Sequence, residues 1–317
     1  MSIQNKPKNR KKSVAKKPKV LVILGPTSSG KTDLGVKLAA AYNGEIISAD
    51  SRQVYRGLDI GSGKDLSAYR QGKQKIKYHL IDVIDPSETF DLAAYQSLAN
   101  QAIKDILRRK KLPILVGGSG LYLQALVDNY HLNKIPGNNN LRRKLEKLSA
   151  VQLFDKLVAL NSEFAQRLNN SDRHNPRRLI RYLEVIQNRG EINRRQESPY
   201  DFLVVGIDCS DAVLRERIVY RLLVMLEQEG LIAEVHRLHQ EGLSWERLLS
   251  FGLEYRFVVR HLLGELSYTE LVDKLGTAVY RFAKRQKTWL KRWEKQGRRI
   301  IWIKKPEQIE KILIRNL

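Results

Sequence analysis

The stretch Lys19-Val-Leu-Val-Ile-Leu-Gly25-Pro26-Thr27-Ser28-Ser29-Gly30-Lys31-Thr32-Asp33-Leu34 decides the fold. Its first six residues form an apolar run rich in β-branched side chains, which reads as a buried strand. Residues 25–32 then fit the pattern G-x-x-x-x-G-K-[ST] in full. Leu34, Leu38 and Ala41 follow at helical spacing, up to a stop at Asn43-Gly44. A strand, a glycine-rich loop and a helix in that order form a phosphate cradle. The glycines let backbone N–H groups turn onto phosphate oxygens, and the helix N-terminus adds partial positive charge. Lys31 would neutralise terminal phosphate oxygens, and Thr32 is the expected magnesium ligand. The pattern calls for a phosphorylated ligand and leaves its identity open.

Working outward, residues 45–48 read as a second strand, 79–84 as a third closed by Asp85-Pro86, and 112–116 as a fourth running into Gly117-Gly118-Ser119-Gly120. An amphipathic helix is expected over 92–109. This alternation predicts an α/β fold, a P-loop NTPase-like parallel sheet flanked by helices. From 121 to about 193 no strand is expected, and helical patterns cover 141–148, 150–160, 162–168 and 176–188. Strand character returns at 202–207 and 300–303, with helices at 211–229, 231–241, 254–263, 267–274 and 276–295. The expected organisation is a disordered basic tail at 1–18, a core of 19–120 plus 198–317, and an all-helical insertion domain at 121–197.

Composition narrows the function class. The 317 residues are 42% apolar and 29% charged, as in globular proteins. The single cysteine, Cys209, excludes a disulfide framework and a thiolate zinc finger, and reads as a small residue at a strand end. The six histidines lack metal-ligand spacing; His174, His236 and His239 read as surface or internally satisfied. No apolar run is long enough to cross a membrane and no secretory signal precedes the first strand, so a soluble cytoplasmic protein is expected. The net charge is +23, of which the eight Lys and Arg of residues 1–19 supply only a part. A basic body points to a polyanion, nucleic acid first.

Asp50-Ser51-Arg52-Gln53 lies just past the second strand. Ligands of open α/β sheets bind beyond the carboxyl ends of the strands, so Asp50 is expected to face the phosphate loop. A carboxylate there could take a proton from a nucleophile or hold magnesium through water, or simply cap a turn. The glycines at 117–120 and Ser119 reach the same edge. The fourth strand ends in glycines rather than an acid, so hydrolysis of a nucleotide is poorly supported.

Residues 277–305 hold eleven Lys and Arg, a single acid (Glu294), and Tyr280, Phe282, Trp289, Trp293 and Trp302. That mixture suits phosphates and unpaired bases. By their helical spacing Phe282, Trp289 and Trp293 are expected in the core. The segment 167–195 carries eight arginines, and Arg177, Arg178 and Arg181 fall on neighbouring turns as a possible RNA-backbone clamp, or as a solvated face.

Taken together these motifs resemble the tRNA dimethylallyltransferase (isopentenyltransferase) family. The resemblance runs from about Val20 to Ile303 and rests on the phosphate loop, Glu45-Ile-Ile-Ser-Ala-Asp-Ser-Arg-Gln-Val-Tyr-Arg-Gly-Leu-Asp-Ile-Gly, His79-Leu-Ile-Asp-Val-Ile-Asp-Pro, Val116-Gly-Gly-Ser-Gly-Leu-Tyr, Asn175-Pro-Arg-Arg-Leu-Ile-Arg-Tyr-Leu-Glu and Ala283-Lys-Arg-Gln-Lys-Thr-Trp. It implies transfer of a prenyl group from dimethylallyl diphosphate to N6 of an adenine beside the tRNA anticodon. Asp50 would accept the proton, and Thr27, Lys31, Arg217 and magnesium on Thr32 would stabilise the departing diphosphate. Arg215 and Arg221 are further candidates on the same helix. Ser51, Arg52, Gln53, Ser119, Arg177, Arg178, Arg181, Lys284, Arg285 and Gln286 would contact the tRNA with Asp50. The implied partners are the anticodon stem-loop and the prenyl donor, with Mg2+ as cofactor, no membrane, and a monomeric enzyme in the cytoplasm.

The chain departs from the family pattern at Leu223, at Val279-Tyr280 and at Ser250-Phe-Gly-Leu-Glu-Tyr-Arg, which bears on helix contacts and RNA details. The alternatives are an adenylate isopentenyltransferase acting on free nucleotide, a P-loop small-molecule kinase, and a non-enzymatic RNA-binding protein. The insertion, the basic C-terminal segment and the intact Lys31, Thr32 and Asp50 weigh against them.

Overall fold

The computed structural model describes residues 16–71, 74–132, 137–188 and 194–316. The expected basic tail therefore lies largely outside the described residues; of its end, Lys17 pairs with Glu197.

Six strands form the central sheet: β1 (Lys19–Leu24), β2 (Gly44–Ala49), β3 (Tyr78–His79), β4 (Leu112–Gly117), β5 (Asp201–Ile207) and β6 (Ile301–Ile303). Their spatial order is β6-β5-β1-β4-β2-β3, and every neighbouring pair is parallel. β1 lies inside the sheet, and its residues from Val20 to Leu24 are fully buried, as a strand covered on both faces must be. The register aligns Leu24 with Gly117 and with Gly206, and Ala49 with Gly117. The strands thus end together, and the loops that follow share one edge.

Two helices flank this edge early in the chain, α1 (Lys31–Ala41) and α2 (Leu92–Arg108), followed by α3 (Gly120–Val127). One face of the sheet packs against α2, α3 and the end of a long C-terminal helix, around Tyr95, Leu123 and Trp293. The other packs against α1 and the last helix, around Leu34, Ile309 and Leu313. Helices α4 (Asn139–Leu145), α5 (Ala150–Leu160), α6 (Ser162–Gln166), α7 (Asn170–Arg173) and α8 (Pro176–Gln187) close a separate small core around Leu153, Leu157, Leu179 and Leu183. A third core unites α9 (Asp211–Leu223), α10 (Leu231–Gln240), α11 (Trp245–Leu249), α12 (Leu253–Leu262) and α13 (Tyr268–Lys295) with Val54, Tyr55 and Leu58. α14 (Gln308–Asn316) ends the fold.

Several sequence expectations need correction. The third strand was expected over 79–84, yet in the sheet Tyr78 and His79 alone of this stretch pair, with Ile46 and Ile47, while Ile84 makes an isolated parallel bridge to Tyr55. Leu80 and Asp82 take left-handed φ of 62° and 57°, which interrupts the strand; Leu80 and Ile81 are buried, and residues 82–84 bond the backbone of residues 53–56 instead. The stretch from 121 to 193 was expected to lack strands, but Tyr130–His131 pairs antiparallel with Arg194–Arg195. The helices at 267–274 and 276–295 are one helix of 28 residues, started by a capping box between Ser267 and Glu270. Gly276 does not break it, since glycine's helix penalty of about 1 kcal/mol is small beside the packing of so long a helix. The helix expected over 211–229 ends its regular part at Leu223 and widens into a π-helical turn, Val224–Gln228. α3, α7, α11 and α14 were not expected. Phe282, expected in the core, is 40% exposed, whereas Trp293 is buried and Trp289 partly so.

Candidate active site

At the shared strand edge lies a cavity of about 1210 Å³, lined by the phosphate loop, residues 50–53 and 61–63, Ser119, Arg217, Arg221, residues 251–254, Phe282, Gln286 and Lys287. The loop between β1 and α1 has the geometry its sequence requires. Ser28 and Gly30 take left-handed φ of 59° and 84°, and Gly30 caps α1 without a side-chain hydrogen bond. The first N–H groups of α1 are thus left open to a ligand. Ser29 Oγ is buried beneath Gly25 with no partner among the described residues, which fits an incoming phosphate oxygen. Lys31 Nζ donates to the carbonyl of Pro26 at 3.1 Å. Burial pushes the Lys31 ammonium below its ordinary range, against the charge of Asp50, which pushes it up.

Asp50 follows β2 directly. Its Oδ1 accepts from the Arg52 amide at 2.8 Å, a local turn that fixes the carboxylate beside the cavity. The Ser51 amide donates to Ser119 Oγ at 3.2 Å, so the turns after β2 and β4 are tied together. Gln53 accepts from Ser48 Oγ at 2.8 Å and donates to the Gly63 carbonyl at 3.3 Å. The segment 59–61 is held from the other side. Glu234 of α10 accepts from the amides of Asp59, Ile60 and Gly61 at 2.9, 2.7 and 3.1 Å, and from the Tyr255 hydroxyl at 2.9 Å.

α13 brings Gln286 onto the phosphate loop. Its Oε1 accepts from the Thr27 amide at 2.9 Å and its Nε2 donates to the Gly118 carbonyl at 2.9 Å. A Cβ at Gly118 would stand 2.6 Å from Gln286 Nε2 and 3.1 Å from the Gly25 carbonyl, so only glycine permits this approach. Gln286 was expected on the RNA side; its carboxamide joins two loops of the protein. Lys284 and Arg285 are exposed, and Lys287 bonds Asp211 at 2.7 Å and the Cys209 carbonyl at 2.9 Å.

Of the three arginines of α9, Arg217 reaches the loop, with Nη1 3.5 Å from the Ser29 carbonyl. Arg215 lies over the Tyr280 ring at 4.5 Å, away from the loop, and Arg221 pairs with Glu229 at the cavity rim. In the insertion, Arg177 is exposed, Arg178 pairs with Asp172, and Arg181 joins Arg142 on the buried Glu184. Sequence reasoning missed Glu234, the wall at 251–254 and the residues 61–63. Nothing in the pattern marks Glu234, whereas the wall coincides with one departure from the family motif.

Val279 and Tyr280, another departure, belong to the helical core: Val279 is buried and Tyr280 packs at its margin under Arg215 and Lys284. Leu223 stands where α9 gives way to the π-helical turn. Neither change touches Asp50 or the phosphate loop.

No described helix is long and apolar enough to cross a membrane. Residues 53–293 match the family model described as IPP transferase. The chain is 45% identical over 288 residues to tRNA dimethylallyltransferase 1 of Syntrophus aciditrophicus, covering 90% of this chain and 93% of that one. It is 47% identical over 289 residues to tRNA dimethylallyltransferase 2 of Citrifermentans bemidjiense, covering 90% of each. Its fold is similar to the crystal structure of the full-length tRNA isopentenylpyrophosphate transferase from Bacillus halodurans, with a TM-score of 0.68, 34% identity, and coverage of 94% of this chain and 96% of that one. A phosphate cradle facing a carboxylate, in a chain matched over nine-tenths of its length, makes this protein a member of the tRNA dimethylallyltransferase (IPP transferase) family.

Proposed function

We propose that this enzyme prenylates tRNA, moving a dimethylallyl group from dimethylallyl diphosphate to N6 of the adenosine 3′ of the anticodon, position 37, in tRNAs that read codons beginning with U. The observation that carries the reading is the juxtaposition of Asp50 with the phosphate loop across one cavity, in a chain of this family.

N6 attacks the allylic carbon, the C–O bond to diphosphate breaks with its electron pair, and the N6 proton passes to Asp50. Adenine's amine is a poor nucleophile until that proton has an acceptor. The open N–H groups of α1, Lys31, the Thr27 hydroxyl and Arg217 would bear the charge of the departing diphosphate. Among the described residues no cluster of three or more His, Cys, Asp or Glu is set to hold a metal. The Thr32 hydroxyl at the start of α1 would be the residue to hold a magnesium ion accompanying the diphosphate. When bound it would add charge stabilisation to the leaving group.

An adenine of a folded loop must leave its stack to enter such a cavity. Ser51, Arg52, Gln53 and Ser119 would surround it, with Gln286 holding the walls. The insertion, with Arg177, Arg178 and Arg181, and the exposed Lys284 and Arg285 would hold the anticodon stem by its phosphates. A small nucleotide needs neither surface, which disfavours the adenylate isopentenyltransferase alternative. Offering labelled dimethylallyl diphosphate and magnesium with unmodified tRNA and with AMP in parallel tests the reading. Label at an adenine beside the anticodon supports it; label in AMP alone overturns it.

A further inference from the structure

Buried and half-buried carboxylates of this fold are held by partners. Glu45 is bound by Arg109, His79 and Lys111, Glu184 by Arg142 and Arg181, Glu234 by three amides and a tyrosine, and Asp128 by Trp293 and Arg298. Glu254 is different. It stands in the first turn of α12, on the wall of the cavity that also holds Asp50, Arg52 and Gln53. Among the described residues no side chain hydrogen-bonds its carboxylate or pairs with it.

Gly252 sets its direction. With φ of +132° this residue carries the chain into α12, and a Cβ built on it would lie 3.4 Å from Arg52 Nε and 3.9 Å from Glu254 Oε2. The two charged groups thus flank one patch of bare backbone inside the cavity. The charged groups that face Glu254 are Asp50 and Arg52 from the turn after β2, while its helix neighbour Tyr255 bonds Glu234 instead. Burial pushes the Glu254 carboxyl up to about 7, with Asp50 adding to the rise and Arg52 opposing it. Two carboxyls thus face one cavity, one on the turn after β2 and one on α12, where a proton acceptor and a proton donor could act on one base.

Adenine offers such a pair its complement. The exocyclic N6 is a donor, and the ring nitrogens beside it are acceptors. Resting on the tRNA reading above, we propose that Glu254, on the cavity wall beside Arg52, is a specificity-determining residue that hydrogen-bonds a ring nitrogen of the acceptor adenine, while Asp50 accepts from N6. Guanine, with an oxygen in place of the amine, would face Asp50 with an acceptor and be refused.

The test is the initial rate of transfer of labelled dimethylallyl to unmodified tRNA by wild type, Glu254→Gln and Glu254→Leu between pH 6 and 9, at varied concentrations of each substrate. The wild-type kcat/KM for tRNA is expected to fall as pH rises through about 7, as the donor is lost. Glu254→Gln keeps a donor at any pH, so its profile loses that fall. Glu254→Leu is expected to lose about tenfold or more in kcat/KM for tRNA, the worth of one hydrogen bond, with KM for dimethylallyl diphosphate unchanged. Wild-type kcat/KM in Glu254→Leu, or a Glu254→Gln profile that falls like the wild type, overturns the assignment. If Glu254→Leu fails to fold, the Glu254→Gln profile decides. Transfer by the wild type with unaffected variants sinks this inference alone; no transfer by the wild type sinks the tRNA reading with it.

Discussion

Gln286 of α13 accepts a hydrogen bond from the backbone amide of Thr27 at 2.9 Å, across 259 residues of chain. Through its other end it donates to the Gly118 carbonyl, so one side chain ties the phosphate loop, the turn after β4 and the basic C-terminal helix together. α13 thus carries Lys284 and Arg285 on its exposed face and is joined to the phosphate loop by its inner face.

Replacing Gln286 by Leu removes both bonds. Each is worth about 1 kcal/mol. We expect kcat/KM for dimethylallyl diphosphate to fall roughly tenfold or more, together with a lower melting temperature. Gln286→Glu should be worse, because it loses the donor to Gly118 and sets a negative charge beside the diphosphate. Initial-rate kinetics at saturating tRNA check both.

Gly118→Ala tests the same contact from the other side. The new methyl would meet Gln286 Nε2 and the Gly25 carbonyl, and the carbonyl is backbone that cannot swing aside. Overpacking of this kind costs about 1–3 kcal/mol. The expected outcome is a lower melting temperature together with weakened binding of dimethylallyl diphosphate, measured by calorimetry.

Stability should carry an acid signature from Glu45 at the far end of β2. Burial pushes this carboxyl up, but Arg109, His79 and Lys111 overcome it and hold it at about 2. A depressed carboxyl stabilises the fold above its unfolded value and loses that contribution as pH falls toward 2. The contribution is at most about 3 kcal/mol. Glu45→Gln should therefore unfold in less denaturant at pH 7, with the difference from wild type shrinking between about pH 4 and pH 2.

The insertion arginines separate by their partners. Arg177 is exposed, whereas Arg181 helps hold the buried Glu184. Arg177→Ala should leave the melting temperature alone and lower the salt slope of tRNA binding by about 1. Arg181→Ala should lower the melting temperature as well. Salt-dependent tRNA titrations beside melting curves distinguish the two.

Much of this was legible in the sequence because its signals are local. The phosphate loop, the strand before it and the helix after it obey short-range rules of glycine geometry and periodicity, and β1, β2, β4 and β5 appear as apolar runs. The third strand misled because burial of Leu80 and Ile81 imitates strand character while left-handed backbone at Leu80 and Asp82 interrupts the strand. Phe282 misled because helical spacing records a face, not what covers it. Gln286 was legible as part of a motif, but its bridge to Thr27 was not. Contacts across such separations leave no trace in spacing, and neither does the setting of Glu234 or Glu254.

The central claim is that Asp50, opposite the phosphate loop, takes the N6 proton as the prenyl group is transferred to tRNA. Its most direct test is single-turnover transfer from labelled dimethylallyl diphosphate to unmodified tRNA by wild type and Asp50→Ala, beside tRNA binding by both. The account predicts label at the adenine beside the anticodon with wild type, a loss of at least about a hundredfold in rate with Asp50→Ala, and tRNA binding retained by the variant. Near-wild-type rates in Asp50→Ala would contradict it.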